Sequence, residues 1–320
     1  MTLITRLKTS ASQLARTTVG AGLGLAFAAA LFAGLPAPAL AQDALAAAPR
    51  AEGTGPALWV VRDADSTLYL FGTVHMLRPT TAWGSDRVDA AFASASQLIL
   101  EVTNPDDQAA AMPLIQQYGI SPQTPLSSLL TAEELADLDA AARTMGLSAA
   151  QLDPMRPWLA ALTLSVAPLA KAGYDPQSGV DLILRATAAA EDKPISGFET
   201  LDEQIGILAG FPEEGQLAFL RSTLEEFEDA TVELDRLVEA WAAGDVDAIT
   251  EIGVEPMRES SELVYQSLLV KRNTNWADQI ETLLEGSGTV FIAVGAAHLA
   301  GDDSVQSILK SRGVEVAVAP

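Results

Sequence analysis

The chain has 320 residues, no cysteine, 42 acidic against 19 basic residues and a formal net charge of −23 at pH 7. The missing thiols exclude disulfides, thiolate nucleophiles and sulfur ligands, so any metal site must be built from His, Asp, Glu, Asn and water. The acid excess repels nucleic acid and anionic lipid headgroups, favours solubility and says nothing about fold.

Residues 1–41 read as a secretory signal peptide. Arg6, Lys8 and Arg16 form a positive leading region, Val19 to Leu35 an apolar run, and Ala39-Leu40-Ala41 a small-x-small cleavage signal before Gln42. An uncleaved anchor is the rival reading; Pro36, Pro38 and the cleavage triplet count against it. The expected location is the periplasm or the exterior. No later stretch approaches the ~18 apolar residues of a membrane span. Residues 42–56, rich in Ala, Gly and Pro, predict a flexible mature N-terminus. Residues 57–320 are expected to form one domain with a helical insertion at about 125–285.

Leu58 to Val61 and Thr67 to Phe71 are short apolar runs around a polar turn, the pattern of a β-hairpin. The second run ends in Gly72-Thr-Val-His75. Ser85 to Ser96 has helical spacing, and Gln97 to Val102 is an apolar strand carrying Glu101. Such a β–α–β unit is expected to place its two strands side by side and parallel. In the middle, Thr131-Ala-Glu-Glu134 is a capping box, Pro157 starts a helix, Ser178-Gly-Val-Asp181 opens another, and Lys193 to Phe198 is a strand ending at Glu199. Residues 201–285 read as acidic amphipathic helices, including segments from Leu224 to Trp241 and from Pro256 to Lys271, with Glu225, Glu226, Glu228 and Asp229 on a solvated helix face. Trp158, Trp241 and Trp276 are core candidates. Thr289 to Val294, Gly295, His298, a helix at about 304–311 and a strand at Val314 to Val318 repeat the first unit's order. The expected fold is α/β: a central, mostly parallel sheet built from two such units, with a large helical insertion.

The only two histidines, His75 and His298, both stand in Gly-x-x-His just past an apolar strand. Ligands of open α/β sheets bind at that edge, and imidazole can coordinate a metal or transfer a proton near neutral pH. Glu101, charged inside an apolar strand, needs a partner, a metal or a strand-end position. Asp181 and Glu199 are further candidates whose bland reading is helix capping. Arg272-Asn273 is either an ordinary helical pair or an anion clamp. No phosphate loop, Gly-x-Ser-x-Gly elbow or His-Glu-x-x-His motif is present.

Together, Leu70-Phe-Gly-Thr-Val-His75, the Glu101 strand, Ser178-Gly-Val-Asp181, Phe198-Glu199-Thr200, Arg272-Asn273 with Trp276, and Val294-Gly-Ala-Ala-His298-Leu resemble the successive motifs of the TraB/GumN family, which includes the Tiki-type metalloproteases. The resemblance spans nearly the whole mature chain. It implies a fold related to the erythromycin esterase and ChaN-like superfamily. It also implies a site of His75, His298 and Glu101, with Asp181 and Glu199 as further metal-ligand candidates. Tiki-type members use Mn²⁺ or Co²⁺ to cleave a secreted protein; this chain is expected to be exported without their membrane anchoring, and their substrate does not transfer. The expectation is an exported metal-dependent hydrolase of peptides or small molecules, with Glu101 as base and Arg272 or Asn273 stabilising an oxyanion. The rivals are a haem-like small-molecule binder and a non-catalytic envelope factor that binds a partner protein.

Overall fold

The structure, a computed structural model, describes residues 44–320. The signal-peptide reading of residues 1–41 and the cleavage before Gln42 lie outside the described residues.

The hairpin forms as expected. β1 (Leu58–Arg62) and β2 (Ser66–Thr73) pair antiparallel, with Leu58 opposite Phe71 and Arg62 opposite Thr67. Asp63 closes the turn by accepting from the backbone N–H groups of Asp65 and Ser66. Helix α1 (Asp86–Ser94) leads to β3 (Gln97–Val102). Helix α2 (Gln108–Gly119) follows, an element with no strong signature in the sequence. The capping box at Thr131 opens α3 (Ala132–Arg143), and Pro157 is the first residue of α4 (Pro157–Lys171). Next come α5 (Val180–Ala190), β4 (Ile195–Glu199), α6 (Leu201–Ala209), α7 (Glu213–Glu225) and α8 (Ala230–Ala243). After a broken helical run at 246–270, α9 (Lys271–Leu284), β5 (Gly288–Gly295), α10 (Val305–Ser311) and β6 (Val316–Val318) complete the chain.

The class is mixed α/β, with a six-stranded sheet in the order β4-β3-β5-β2-β1-β6. β4, β3, β5 and β2 are mutually parallel, and β1 pairs antiparallel with β2 and β6. The strand neighbours differ from the expectation. β5 lies between β2 and β3, so the first β–α–β unit is split; β6 pairs with β1 rather than with β5. The apolar pattern of β5 explains its place: Phe291 and Ala293 face one core, while Ile292 and Val294 face another. A strand buried on both faces belongs at the sheet centre. Alternation also divides β2, where Phe71 joins the first core and Leu68 and Leu70 join the second. Helix α9 covers the second face through Trp276, Ala277 and Ile280. A third core, around Leu138, Leu164 and Leu220, packs α3, α4 and α7 together.

Within 44–56, Leu45 and Ala48 are buried and Arg50 bonds Asp86 and Asp89 at 2.5 and 2.6 Å, while residues 46, 47, 49, 50 and 52–54 are exposed. Two local expectations are corrected. The acidic run is no continuous helix face, since α7 ends at Glu225 and Glu226, Glu228 and Asp229 form the turn to α8. Like charges crowded on one helical turn are relieved by that break. The helix expected from Pro256 to Lys271 is interrupted at Ser261 and continues through a π-helical turn at Gln266–Val270; a second π-helical turn lies at Thr250–Val254.

Trp241 ties α8 to the sheet edge. Its indole is buried, lies 6.0 Å from Trp83 and donates to the Gly72 carbonyl at 2.7 Å. Trp241→Phe should therefore cost about 1–3 kcal/mol, the penalty of orphaning a buried acceptor, plus a smaller packing loss. Urea denaturation should show the midpoint falling with an unchanged slope; an unchanged midpoint would mean this bond contributes nothing.

Candidate active site

Four parallel strands end on one edge of the sheet, and each delivers a functional side chain there or just beyond. Along the edge, β4 supplies Glu199, β3 supplies Glu101, β5 leads to His298 and β2 leads to His75. Because β2 and β5 are neighbours, with Gly72 opposite Val294 and Thr73 opposite Gly295, the two Gly-x-x-His segments lie side by side.

Glu101 is the meeting point. Its Oε1 accepts the Gly295 backbone N–H at 2.7 Å and lies 4.0 Å from His75 Nε2 and 3.8 Å from His298 Nε2. Its Oε2 accepts from Arg272 Nη2 at 2.7 Å and from Gln204 Nε2 at 3.0 Å. Burial alone would raise the Glu101 pKa. The Arg272 guanidinium, both imidazoles and the Gly295 N–H outweigh it and hold this carboxylate well below the usual range.

His75 is oriented from behind. Its Nδ1 meets Asp181 Oδ2 at 2.6 Å, and the other Asp181 oxygen accepts from Thr73 Oγ1 at 2.7 Å. Asp181 can reach it because Gly179 starts α5 against the His75 backbone: a Cβ there would stand 2.2 Å from the His75 carbonyl oxygen. His75 Nε2 is buried with no hydrogen-bond partner and faces Glu101. Burial depresses the His75 pKa, but Asp181 and Glu101 prevail and push it up to about 9. His298 has the opposite surroundings. Its Nδ1 meets Asn273 Oδ1 at 2.5 Å, and its Nε2 accepts from Arg272 Nη1 at 3.0 Å. Burial and the neighbouring guanidinium push its pKa down to about 3, so it is neutral.

Arg272 is enclosed. Its Nε and Nη2 reach Glu199 at 2.8 Å each, Nη2 also reaches Glu101, and Nη1 bonds the Leu268 carbonyl at 3.2 Å as well as His298. Trp276 Nε1 donates to Glu199 at 3.1 Å. Glu199 is nonetheless raised, because burial exceeds what Arg272 returns. Asn273 has its amide group donating to the Asp303 carbonyl at 2.7 Å. Arg272 and Asn273 thus hold Glu101, Glu199 and His298, and neither side chain is presented as an open oxyanion donor.

All seven residues singled out in the sequence fall in this network. Gln204 and Thr73 complete it. Gln204 gave no signal, since a glutamine on a helix is ordinary; Thr73 sits inside the first Gly-x-x-His and could have been suspected. Among the described residues, no group of three or more His, Asp or Glu side chains is disposed to hold a metal ion. The pair left nearest to such a role is the orphaned His75 Nε2 and Glu101 Oε1, 4.0 Å apart, a separation that two bonds of ~2.0–2.2 Å span only when the two ligands stand nearly opposite each other. Asp181 behind Nδ1 is the carboxylate–histidine arrangement that steadies a metal-binding imidazole. His298 Nε2 is committed to Arg272, Glu199 is bound by Arg272 and Trp276, and Asp181 stands behind His75. A cavity of about 70 Å³ opens over His75, Arg272 and His298.

A family model for TraB/PrgY/gumN matches residues 57–318. An uncharacterised protein of Escherichia coli K12, YbaP, is 25% identical over 266 residues, covering 80% of this chain and 93% of its own. An uncharacterised protein of Treponema pallidum is 22% identical over 267 residues, covering 79% of this chain and 80% of its own. No solved structure matches.

The two histidines make opposite contributions to stability against pH. His75, raised from its ordinary 6.5 to about 9, binds its proton more tightly folded than unfolded. Its contribution is complete below 6.5 and is lost as pH rises through 9. His298, lowered from 6.5 to about 3, contributes above 6.5 and loses that as pH falls toward 3. In chelator-treated protein, the melting temperature should peak near pH 6.5, and His75→Gln should flatten the alkaline limb relative to wild type. An alkaline limb identical in the two proteins would refute this charge assignment.

Proposed function

The chain belongs to the TraB/PrgY/gumN family, and on that footing we propose that it is an exported metal-dependent hydrolase of amide or ester bonds, including those of peptides. One observation carries the reading: a buried imidazole nitrogen without a partner faces a carboxylate oxygen across 4.0 Å, on a histidine that lines a cavity. His75 Nε2 and Glu101 Oε1 would hold a divalent ion, Mn²⁺ or Co²⁺, for which imidazole and carboxylate are suitable donors. The ion would supply a Lewis acid that polarises the scissile carbonyl and acidifies water.

The chain's own residues set the rest. Asp181 fixes the His75 ring so that Nε2, not Nδ1, points into the gap. His75 Nε2 would have to give up its proton to hold an ion, so binding would be accompanied by proton release near neutral pH. Arg272, Gln204 and the Gly295 N–H keep Glu101 ionised, and the three donors make it a weak base. Asn273 keeps the His298 proton on Nδ1, which leaves Nε2 as the acceptor for Arg272 and positions the guanidinium between the two glutamates.

A second reading has its own support. With its pKa raised to about 9, His75 is an imidazolium at neutral pH, and its Nε2–H could protonate a leaving group without any ion. Haem is disfavoured, because a cavity of about 70 Å³ falls well short of the ~300–1,000 Å³ of ligand pockets.

Gly295 gives the sharpest test. A Cβ there would stand 3.1 Å from Glu101 Oε1 and 3.3 Å from His75 Nε2, intruding on the gap and displacing those atoms by only a few tenths of an ångström. Calorimetry with Mn²⁺ and Co²⁺ should show binding with proton release to wild type and none to Gly295→Ala or His75→Ala. Turnover of a peptide library should fall about 10²–10⁴-fold in both variants. Binding that survives both substitutions would sink the metal reading, and turnover that survives chelation would favour the imidazolium.

A further inference from the structure

The cavity over the cluster has a mixed lining: His75, Arg272 and His298 are its polar side, and Leu234, Leu237, Ile249, Met257, Leu268 and Leu269 are apolar walls. A charged group of a ligand against those walls would be desolvated among apolar side chains. The nearest guanidinium, Arg272, is already bound to Glu101 and Glu199. The walls therefore select an uncharged aliphatic group. The volume of about 70 Å³ limits its size: at ~10–15 Å³ for each water-sized unit, it accepts roughly five heavy atoms.

Beside it lies a second cavity, of about 120 Å³, lined by apolar side chains that include Leu208, Phe211, Phe219 and Val264, with the hydroxyl residues Ser222, Ser260 and Ser261 also on its lining. Leu268 lines both cavities and is itself buried. It stands in the π-helical turn Gln266–Val270, where its carbonyl, not its side chain, holds Arg272 Nη1 at 3.2 Å. The side chain can therefore change without removing that bond.

We propose that the cavity over the cluster receives an uncharged aliphatic group of the substrate, and that Leu268 sets the length of that group by closing off the second cavity. The inference rests on the hydrolase reading only for where the scissile bond sits; the aliphatic pocket is a binding property that can be measured without turnover. Leu268 acts here as a specificity-determining residue and not in the chemistry.

The experiment is a titration of straight-chain primary carboxamides, from acetamide to decanamide, followed by ligand-detected NMR. In wild type, affinity should rise about fourfold per methylene, the worth of burying one CH₂, and level off near hexanamide. Leu268→Ala should move the levelling point at least two methylenes further. Leu268→Val, a milder change, should move it about one and serves if the alanine variant does not fold. Gly215→Leu fills the second cavity from a position where a Cβ meets nothing closer than 3.8 Å; added to Leu268→Ala, it should restore the wild-type levelling point. Affinity that is flat with chain length, or a levelling point unmoved in both Leu268 variants, overturns the proposal. If the chain-length pattern holds but the matching anilides are not hydrolysed with Mn²⁺ or Co²⁺, the hydrolase reading fails and the aliphatic pocket stands. Hydrolysis with no dependence on chain length supports the hydrolase reading and overturns the aliphatic pocket.

Discussion

A guanidinium buried between two glutamates holds this site together. Arg272 reaches Glu199, Glu101, His298 and a backbone carbonyl, and both the arginine and Glu101 are buried. Isolated charges could not stay there, since removing one partner of such a cluster typically costs ~3–5 kcal/mol. The consequence is mutual dependence. Arg272 keeps Glu101 ionised and occupies His298 Nε2, while Glu101 and Glu199 keep Arg272 in place. Helix α9 carries Arg272 and Asn273 on the face that also packs Trp276 and Ile280 on the sheet, so the polar network and the apolar core position one another.

That cluster separates the two histidines chemically although their local sequences match. His75 backs onto a carboxylate and is pushed toward the charged form; His298 backs onto an amide and faces a guanidinium, and is kept neutral. Two similar groups in opposed electrostatic settings can take different tasks in one reaction. His75 keeps 16% of its side chain exposed, whereas His298 retains 5%; the free Nε2 of His75 is itself buried and faces Glu101.

The irregular run at 246–270 bears on the same cavity. Two π-helical turns are stacked into one stretch, and Gly253, Leu268 and Leu269 from them line the wall above the cluster. A π-helical turn widens a helix at a cost in hydrogen-bond geometry and is often kept where function needs the room. The placement fits a wall shaped for a ligand more than one shaped for tight packing.

Much was legible in the sequence because it depends on local chemistry. Apolar runs, the capping box at Thr131, Pro157 at a helix start and the hairpin turn at Asp63 are set by neighbours a few residues away, and all formed where they were expected. Burial of the three tryptophans followed from their apolar surroundings. The candidate residues were recognisable one by one because a strand-end histidine or a carboxylate in an apolar strand needs a partner. Which partner each would find was decided only by the tertiary structure. The insertion of β5 between β2 and β3 placed the two histidine segments side by side and broke the adjacency expected within each unit, since strand order depends on which strand buries both faces. The roles of Arg272 and Asn273 as internal clamps, the contribution of Gln204 and the free nitrogen of His75 likewise arise from contacts between residues 25 to 171 positions apart. No local pattern encodes such distances; they exist only once the sheet is assembled and α9 is packed against it.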